Sequence, residues 1–412
     1  MDSAPRATNQ FLIGYNLLYL GFNYLWISLE SLILPTQIGT IVSTRQIGFV
    51  LGITASIGNA FGILGNLAAG ILSDRRKSGA ANRFPYIIAG IAVVIVTLVA
   101  EPITSKSYIG ILVGYILLQT FSNMAIGATQ PILAEIESKD QRGTSAGLNG
   151  LFSLVGTGIG FALTSVLISS NFPNSDFYAI AAGVAVTGVG TLLAIHGNRV
   201  AAVSSPLRQV NISLTKLKRI PINLRKFTKL IAGSFFVFSG VTGLTYFELY
   251  FFKEVLNFSN PAIYVGIAGI VVIIVSAASA MVLGHFSNRL GRWNIIIVDA
   301  AVAAIPTLII PYFRSFYIFL ILGSVIGATY GTFYSVSFAV ASDLVPQGES
   351  GKYMSFFYLS LAGASSFSPL IYGSVLLLFG QSASSGFVAL FTLSGIFYLI
   401  GALVLYWAHQ TG

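Results

Sequence analysis

Five acids stand inside or at the ends of long apolar runs: Glu30, Glu135, Glu248, Asp299 and Asp343. An ionised acid at the centre of a bilayer costs about 2.5–3.5 kcal/mol on insertion scales. Each therefore has to hold a proton, bind a ligand or find a neutralising neighbour. Glu30 has no basic residue near it in sequence, so proton or substrate binding is its natural chemistry. Glu135 either carries a proton or pairs with Lys139 or Arg142. Glu248 either takes part in coupling or pairs with Lys253. Asp299 either binds a proton or substrate, or bonds to a neighbouring helix. Asp343 is a gate or helix-cap acid, with coupling as the alternative.

Amides and aromatic residues lie in the same runs. Asn23, Tyr24, Trp26, Gln119 and Asn123 occur in the first third of the chain. Gln130, Asn149, Tyr330, Tyr334 and Tyr358 follow. Each is either a packing residue or part of a polyol site, where amides and carboxylates meet hydroxyls and rings meet the apolar sugar face. Other chemistries find no support. There is no Gly-Lys-Ser/Thr phosphate loop, no cysteine, and only three scattered histidines, His196, His285 and His409. No nucleophile–base pattern is visible, so neither an enzyme, a cofactor nor a metal is expected.

The elements that position these residues follow from composition. Charged residues make up 8% and apolar types 55% of 412 residues, against about 25% charged in a soluble domain. The 43 glycines suit closely packed membrane helices. Twelve apolar segments are long enough to span a bilayer. They cover roughly 11–34, 48–72, 84–100, 107–133, 145–170 and 176–197, then 229–252, 261–284, 293–312, 316–341, 352–379 and 384–408. The first run continues into this architecture and does not read as a cleavable signal peptide.

With both termini in the cytoplasm, 18 of the 22 basic residues fall inside and only Arg45, Lys106, Lys253 and Arg314 outside. That asymmetry accounts for the net charge of +9 without nucleic acid. Residues 1–197 and 229–412 form two six-helix halves, joined by a basic cytoplasmic linker, 198–228. The linker is either a tether or a surface helix against anionic lipid.

A short basic motif recurs in the two halves, and it is expected to form a turn. It reads Gly70-Ile71-Leu72-Ser73-Asp74-Arg75 first and Gly284-His285-Phe286-Ser287-Asn288-Arg289, then Leu290-Gly291-Arg292, 214 residues later. Glu135 and Asp343 are 208 residues apart, as are Gly143 and Gly351. Such repetition points to duplication and to a solute site between halves. The motif resembles the loop signature of the major facilitator superfamily. That resemblance implies a cytoplasmic gate built from Gly70, Asp74, Arg75, Arg83, Arg142 and Asp343 with Gly284, Asn288, Arg289, Gly291 and Arg292. Asp74 would latch the helix starting near Gly351.

A closer resemblance covers much of the first half. Gly21-Phe22-Asn23-Tyr24-Leu25-Trp26, Leu32-Ile33-Leu34-Pro35 and Gly39 are similar to the first helix of the sucrose–proton symporters and related glycoside transporters. Phe84-Pro85-Tyr86-Ile87 and Gln130-Pro131-Ile132-Leu133-Ala134-Glu135 resemble the same family, as does Tyr334-Ser335-Val336-Ser337-Phe338-Ala339. The resemblance implies that Glu135 stands where the family has its proton-carrying aspartate. The family's helix-4 arginine is Gln130 here.

The expectation is an all-α polytopic membrane protein with twelve transmembrane helices in two pseudo-symmetric bundles. Its partners would be a sugar or glycoside, protons and the lipid bilayer of the cell membrane, and it would act as a monomer. Proton-coupled uptake by alternating access is the leading function. Proton-driven export of drugs or metabolites is the alternative, and a non-transporting nutrient sensor the reading from a different class.

Overall fold

The computed structural model describes residues 8–74, 80–136, 141–170, 172, 174–197, 224–345, 350–380 and 384–410. Twelve helices among them are long and apolar enough to cross a membrane. They are α1 (Asn9–Ile41), α2 (Ile47–Leu72), α3 (Arg83–Thr104), α4 (Tyr108–Gln130), α5 (Thr144–Ile168) and α6 (Ser175–His196). Then follow α7 (Arg225–Thr245), α8 (Pro261–Leu290), α9 (Arg292–Tyr312), α10 (Phe316–Leu344), α11 (Tyr353–Phe379) and α12 (Ser384–Gln410). The expected all-helical, twelve-span fold is present. A chain this apolar satisfies its backbone internally in lipid, and helices do so within each segment.

Contacts divide the chain into two compact units, Met1–Ile41 with Ile57–Val210, and Val42–Ser56 with Asn211–Gly412. In the first, α1 packs on α5 and α6, and α3 on α4 and α6. In the second, α7 packs on α11 and α12, and α9 on α10 and α12. The same helix pairings therefore recur. A fifth repeats through glycine: Gly127 of α4 lies against the Asn66 carbonyl of α2, and Gly331 of α10 against the Ser276 carbonyl of α8. At both positions a Cβ would overlap the facing backbone, so only glycine lets the helices approach so closely. Hydroxyls add further ties. Thr191 Oγ1 of α6 donates to the Gly14 carbonyl of α1 (2.8 Å). Within the second unit, the Leu370 N–H donates to Ser56 Oγ (3.0 Å).

Several expectations about local structure are corrected. Over its described residues the repeated motif is helical, with a turn only at Gly291 of the second copy. Helix continues through Asp74 in the first copy and to Leu290 in the second. The reversal after the second copy is a single residue, Gly291, at φ 86°, where its N–H caps the Ser287 carbonyl. Positive φ is what stops the helix there, and glycine takes it without strain. Residues 224–228, read as linker, belong to a helix that begins at Leu224. The linker stretch 198–223 lies outside the described residues. The seventh span, expected to run to 252, stops at Thr245 and restarts at Glu248 as a short piece leading into a π-helical turn, Phe251–Val255.

Candidate functional site

The first unit gathers its polar residues around Glu30. Pro35 has no N–H to offer the preceding turn. The ladder just before it runs in π fashion over Leu29–Ile33, with the Leu34 N–H bonded to the Leu29 carbonyl. One extra residue per turn shifts the face that Glu30 occupies, and π turns of this kind are frequent at functional sites. Gln119 Nε2 of α4 donates to Glu30 Oε1 (3.3 Å) and to the Tyr115 hydroxyl (2.9 Å). Tyr115 in turn donates to Asn59 Oδ1 of α2 (3.3 Å). Asn123 Nδ2 donates to Gln119 Oε1 (3.3 Å) and to the Gln119 carbonyl (2.9 Å).

Gln119 is only 3% exposed and uses both ends of its amide. It is therefore a fixed element that holds the half-buried Glu30 carboxylate in place. One turn before Glu30 on the same helix, Trp26 Nε1 donates to Ser122 Oγ of α4 (2.9 Å). Asn23 Nδ2 donates to the Tyr19 carbonyl (2.8 Å) and to Ser153 Oγ of α5 (3.2 Å). A carboxylate, a phenol and three amides thus converge from α1, α2 and α4, with the Trp26 indole one turn away on α1. This set can accept hydroxyl hydrogens and present a ring face, the chemistry that polyol recognition needs.

The other expected residues scatter. Tyr24 is buried and packs against Gly183 of α6, away from the Glu30 network. Gln130 is exposed and Asn149 half-buried; neither has a hydrogen bond among the described residues. Glu135 lies in the last turns of the helix ending at Ile136, and its side chain lies outside the described ones. The same holds for the side chains of Asp74 and Arg142 and for all of Arg75. Arg83 is buried at the start of α3.

In the second unit, Tyr330, Tyr334 and Phe338 form a stripe along α10. The ring centroids are 6.2 Å apart between the tyrosines and 4.9 Å between Tyr334 and Phe338. The stripe rests on Phe238 of α7. Tyr334 is 40% exposed, and Tyr358 of α11 is 50% exposed. Large aromatic surface is thus open on both helices, as a ring-stacking surface requires.

Asp299 is buried in α9, and its Oδ2 has no hydrogen-bond partner among the described residues. The bond to a neighbouring helix that was its alternative is not formed there. Lys253 pairs with Glu254 (3.8 Å), not with Glu248. Arg292 and Asp343, both expected at a cytoplasmic gate, form an ion pair between the start of α9 and the end of α10. Gly284 sits beside Ser335 of α10, while Asn288 and Arg289 are exposed on α8.

Two acids escaped the sequence reading. Glu101 of α3 is 2% exposed, accepts from Gln37 Nε2 (3.1 Å) and abuts Gly114 of α4. It directly follows the apolar run 84–100 and passes for a boundary residue. Asp176 is buried in the first turn of α6, where an acid complements the helix dipole. Among the described residues, no group of three or more side chains could hold a metal.

Twelve spans, two units with repeated helix pairings and polar groups turned into each bundle define a multi-pass transporter fold. The Major Facilitator Superfamily description matches residues 11–315, and the chain belongs to that family. The fold is similar to that of a D-xylose–proton symporter, with 16% identity, a TM-score of 0.74, and 96% of each chain covered. It is also similar to the nucleoside transporter NupG, with 15% identity and a TM-score of 0.71, covering 98% of this chain and 100% of that one. A bacterial homologue of the human lysosomal transporter Spinster, inward-facing and occupied, is 14% identical with a TM-score of 0.72, covering 98% and 96%. A comparison with curated protein sequences gives no match.

Proposed function

We propose that this protein is a proton-coupled symporter that takes up a sugar or glycoside by alternating access. The observation that carries the reading is the Glu30 carboxylate, held by Gln119 and flanked by Trp26 on the same helix. A carboxylate fixed by an amide can accept two substrate hydroxyls or hold one proton. The open Tyr334 and Tyr358 rings offer stacking surface for the apolar side of a sugar. The similarity of several segments to sucrose–proton symporters supports a sugar substrate and gives Glu135 the coupling role. The D-xylose–proton symporter of similar fold supports the same pairing of sugar and proton.

The two halves, 1–197 and 229–412, are the moving bodies in this reading, and the repeated basic motif with Asp74 forms the cytoplasmic gate. The protein resides in the cell membrane with both termini in the cytoplasm and works as a monomer. The test is uptake of labelled mono- and disaccharides into proteoliposomes, with and without an imposed inward proton gradient. Accumulation that requires the gradient is the expected result. Gradient-driven efflux would favour the exporter, and binding without flux the sensor.

A further inference from the structure

The second unit holds a cavity of about 110 Å³ that the sugar reading does not use. Its lining includes Thr245, Glu248 and the phenylalanines Phe247, Phe251, Phe319, Phe387 and Phe391. Phe251 is the hub of these rings. Its centroid is 5.1 Å from Phe391, 5.7 Å from Phe387 and 5.8 Å from Phe319. The cavity flanks the break where α7 stops after Thr245 and restarts at Glu248 in a short piece leading into a π-helical turn. That break brings a carboxylate into an apolar wall.

Nothing among the described residues balances this carboxylate. The Glu248 side chain has no hydrogen bond or ion pair there. Lys253 is engaged with Glu254 (3.8 Å). The one hydroxyl in the lining, Thr245 Oγ1, donates back to the Val241 carbonyl of its own helix (3.4 Å). A carboxylate in such a place is neutralised by a proton or by a cation. The rings favour the cation, because aromatic faces attract an ammonium group and give a neutral acid nothing. Size limits the ligand: a dry cavity of about 150 Å³ takes benzene.

We propose that this cavity binds a small organic cation, an alkylammonium head group, with Glu248 as its counter-ion and Phe251 as the central ring. The site is independent of the sugar-uptake reading, which rests on the first unit and on the α10–α11 tyrosines.

The test uses the purified full chain in detergent micelles, titrated calorimetrically with ethylammonium and with ethanol, a neutral molecule of the same size. Empty micelles supply the baseline for partitioning. Ethylammonium should bind at least about tenfold more tightly than ethanol. Glu248→Gln should lower ethylammonium affinity to that of ethanol, and Phe251→Leu should weaken ethylammonium by about tenfold. Gel filtration and thermal melting check that both variants are folded. If Glu248→Gln does not fold, the wild-type pair of ligands still decides. Equal affinities for the two ligands, no ethylammonium binding, or unchanged ethylammonium binding in Glu248→Gln would each overturn the proposal. Sugar uptake is read separately in proteoliposomes, so either reading can fail while the other stands.

Discussion

Gln119 reaches across 89 positions of sequence to hold Glu30, donating from Nε2 to Oε1 over 3.3 Å. Because Gln119 is buried and its own oxygen is taken by Asn123, it cannot turn away without breaking several bonds at once. Gln119→Leu should therefore loosen Glu30 and raise the KM for sugar by about five- to thirtyfold. That range corresponds to the loss of about 1–2 kcal/mol from an unmade buried hydrogen bond. Initial-rate uptake in proteoliposomes checks it. An unchanged KM would mean that Glu30 needs no positioning from α4.

Glu30 is only half-buried and should be reachable by solutes. The chain has no cysteine, so a Glu30→Cys variant carries a single reactive thiol. It should react with a small polar thiol reagent, and a transported sugar should slow that reaction at least about threefold. Complete resistance to labelling under all conditions would assign Glu30 to packing.

Glycine contacts rank the cost of adding a methyl group. At Gly331 a Cβ would overlap the Ser276 backbone, whereas at Gly323 its nearest neighbours stand at an ordinary 3.7 Å. Gly331→Ala should be destabilised by about 1–3 kcal/mol through overpacking, and Gly323→Ala by less than about 0.5 kcal/mol. Thermal melting in detergent gives the order directly. Equal melting temperatures for the two variants would contradict the close approach of α8 and α10.

Gly291 alone separates α8 from α9, at φ 86°. Alanine there is strained whatever the surrounding space, by about 1–3 kcal/mol. The adjacent Arg292–Asp343 pair is different in kind, with side chains 26% and 59% exposed. Water and salt screen such a pair, so a double-mutant cycle of Arg292→Gln and Asp343→Asn should give a coupling below about 1 kcal/mol. Melting temperatures of the four cycle members and of Gly291→Ala test both statements. The Gly291 variant should lose more stability than the double mutant.

Much of this architecture could be read from residue types. Low charge and long apolar runs dictate twelve spans, because a bilayer admits few other solutions. The duplication showed in the spacing of Asp74 and Asn288, and it returns as matched glycine contacts at Gly127 and Gly331. The local breaks were not legible. Residues 246–252, Tyr-Phe-Glu-Leu-Tyr-Phe-Phe, are apolar apart from Glu248, so hydropathy runs straight through the interruption of α7. The basic motif suggested a turn, yet helix continues through its glycines Gly70 and Gly284, since glycine permits a reversal without imposing one. Of the candidate site, Glu30, Gln119 and Asn123 come together and Trp26 is tied to the same stretch of α4 through Ser122, while Asn23 bonds instead to Ser153 of α5. Tyr24 went into packing because one face of α1 faces α6. Glu101 was missed because a buried acid at the edge of an apolar run looks like a boundary until its partner, Gln37, is seen in space.

The central claim is that a carboxylate in the first unit couples sugar movement to protons. The most direct measurement compares two activities of the same proteoliposomes: accumulation of labelled sugar driven by a proton gradient, and sugar–sugar counterflow at equal pH. Wild-type protein should do both. Glu30→Gln and Glu135→Gln should each be tested, and at least one should keep counterflow within about threefold of wild type while losing gradient-driven accumulation by about a hundredfold. If both variants accumulate sugar as the wild type does, neither acid couples transport and the account is wrong.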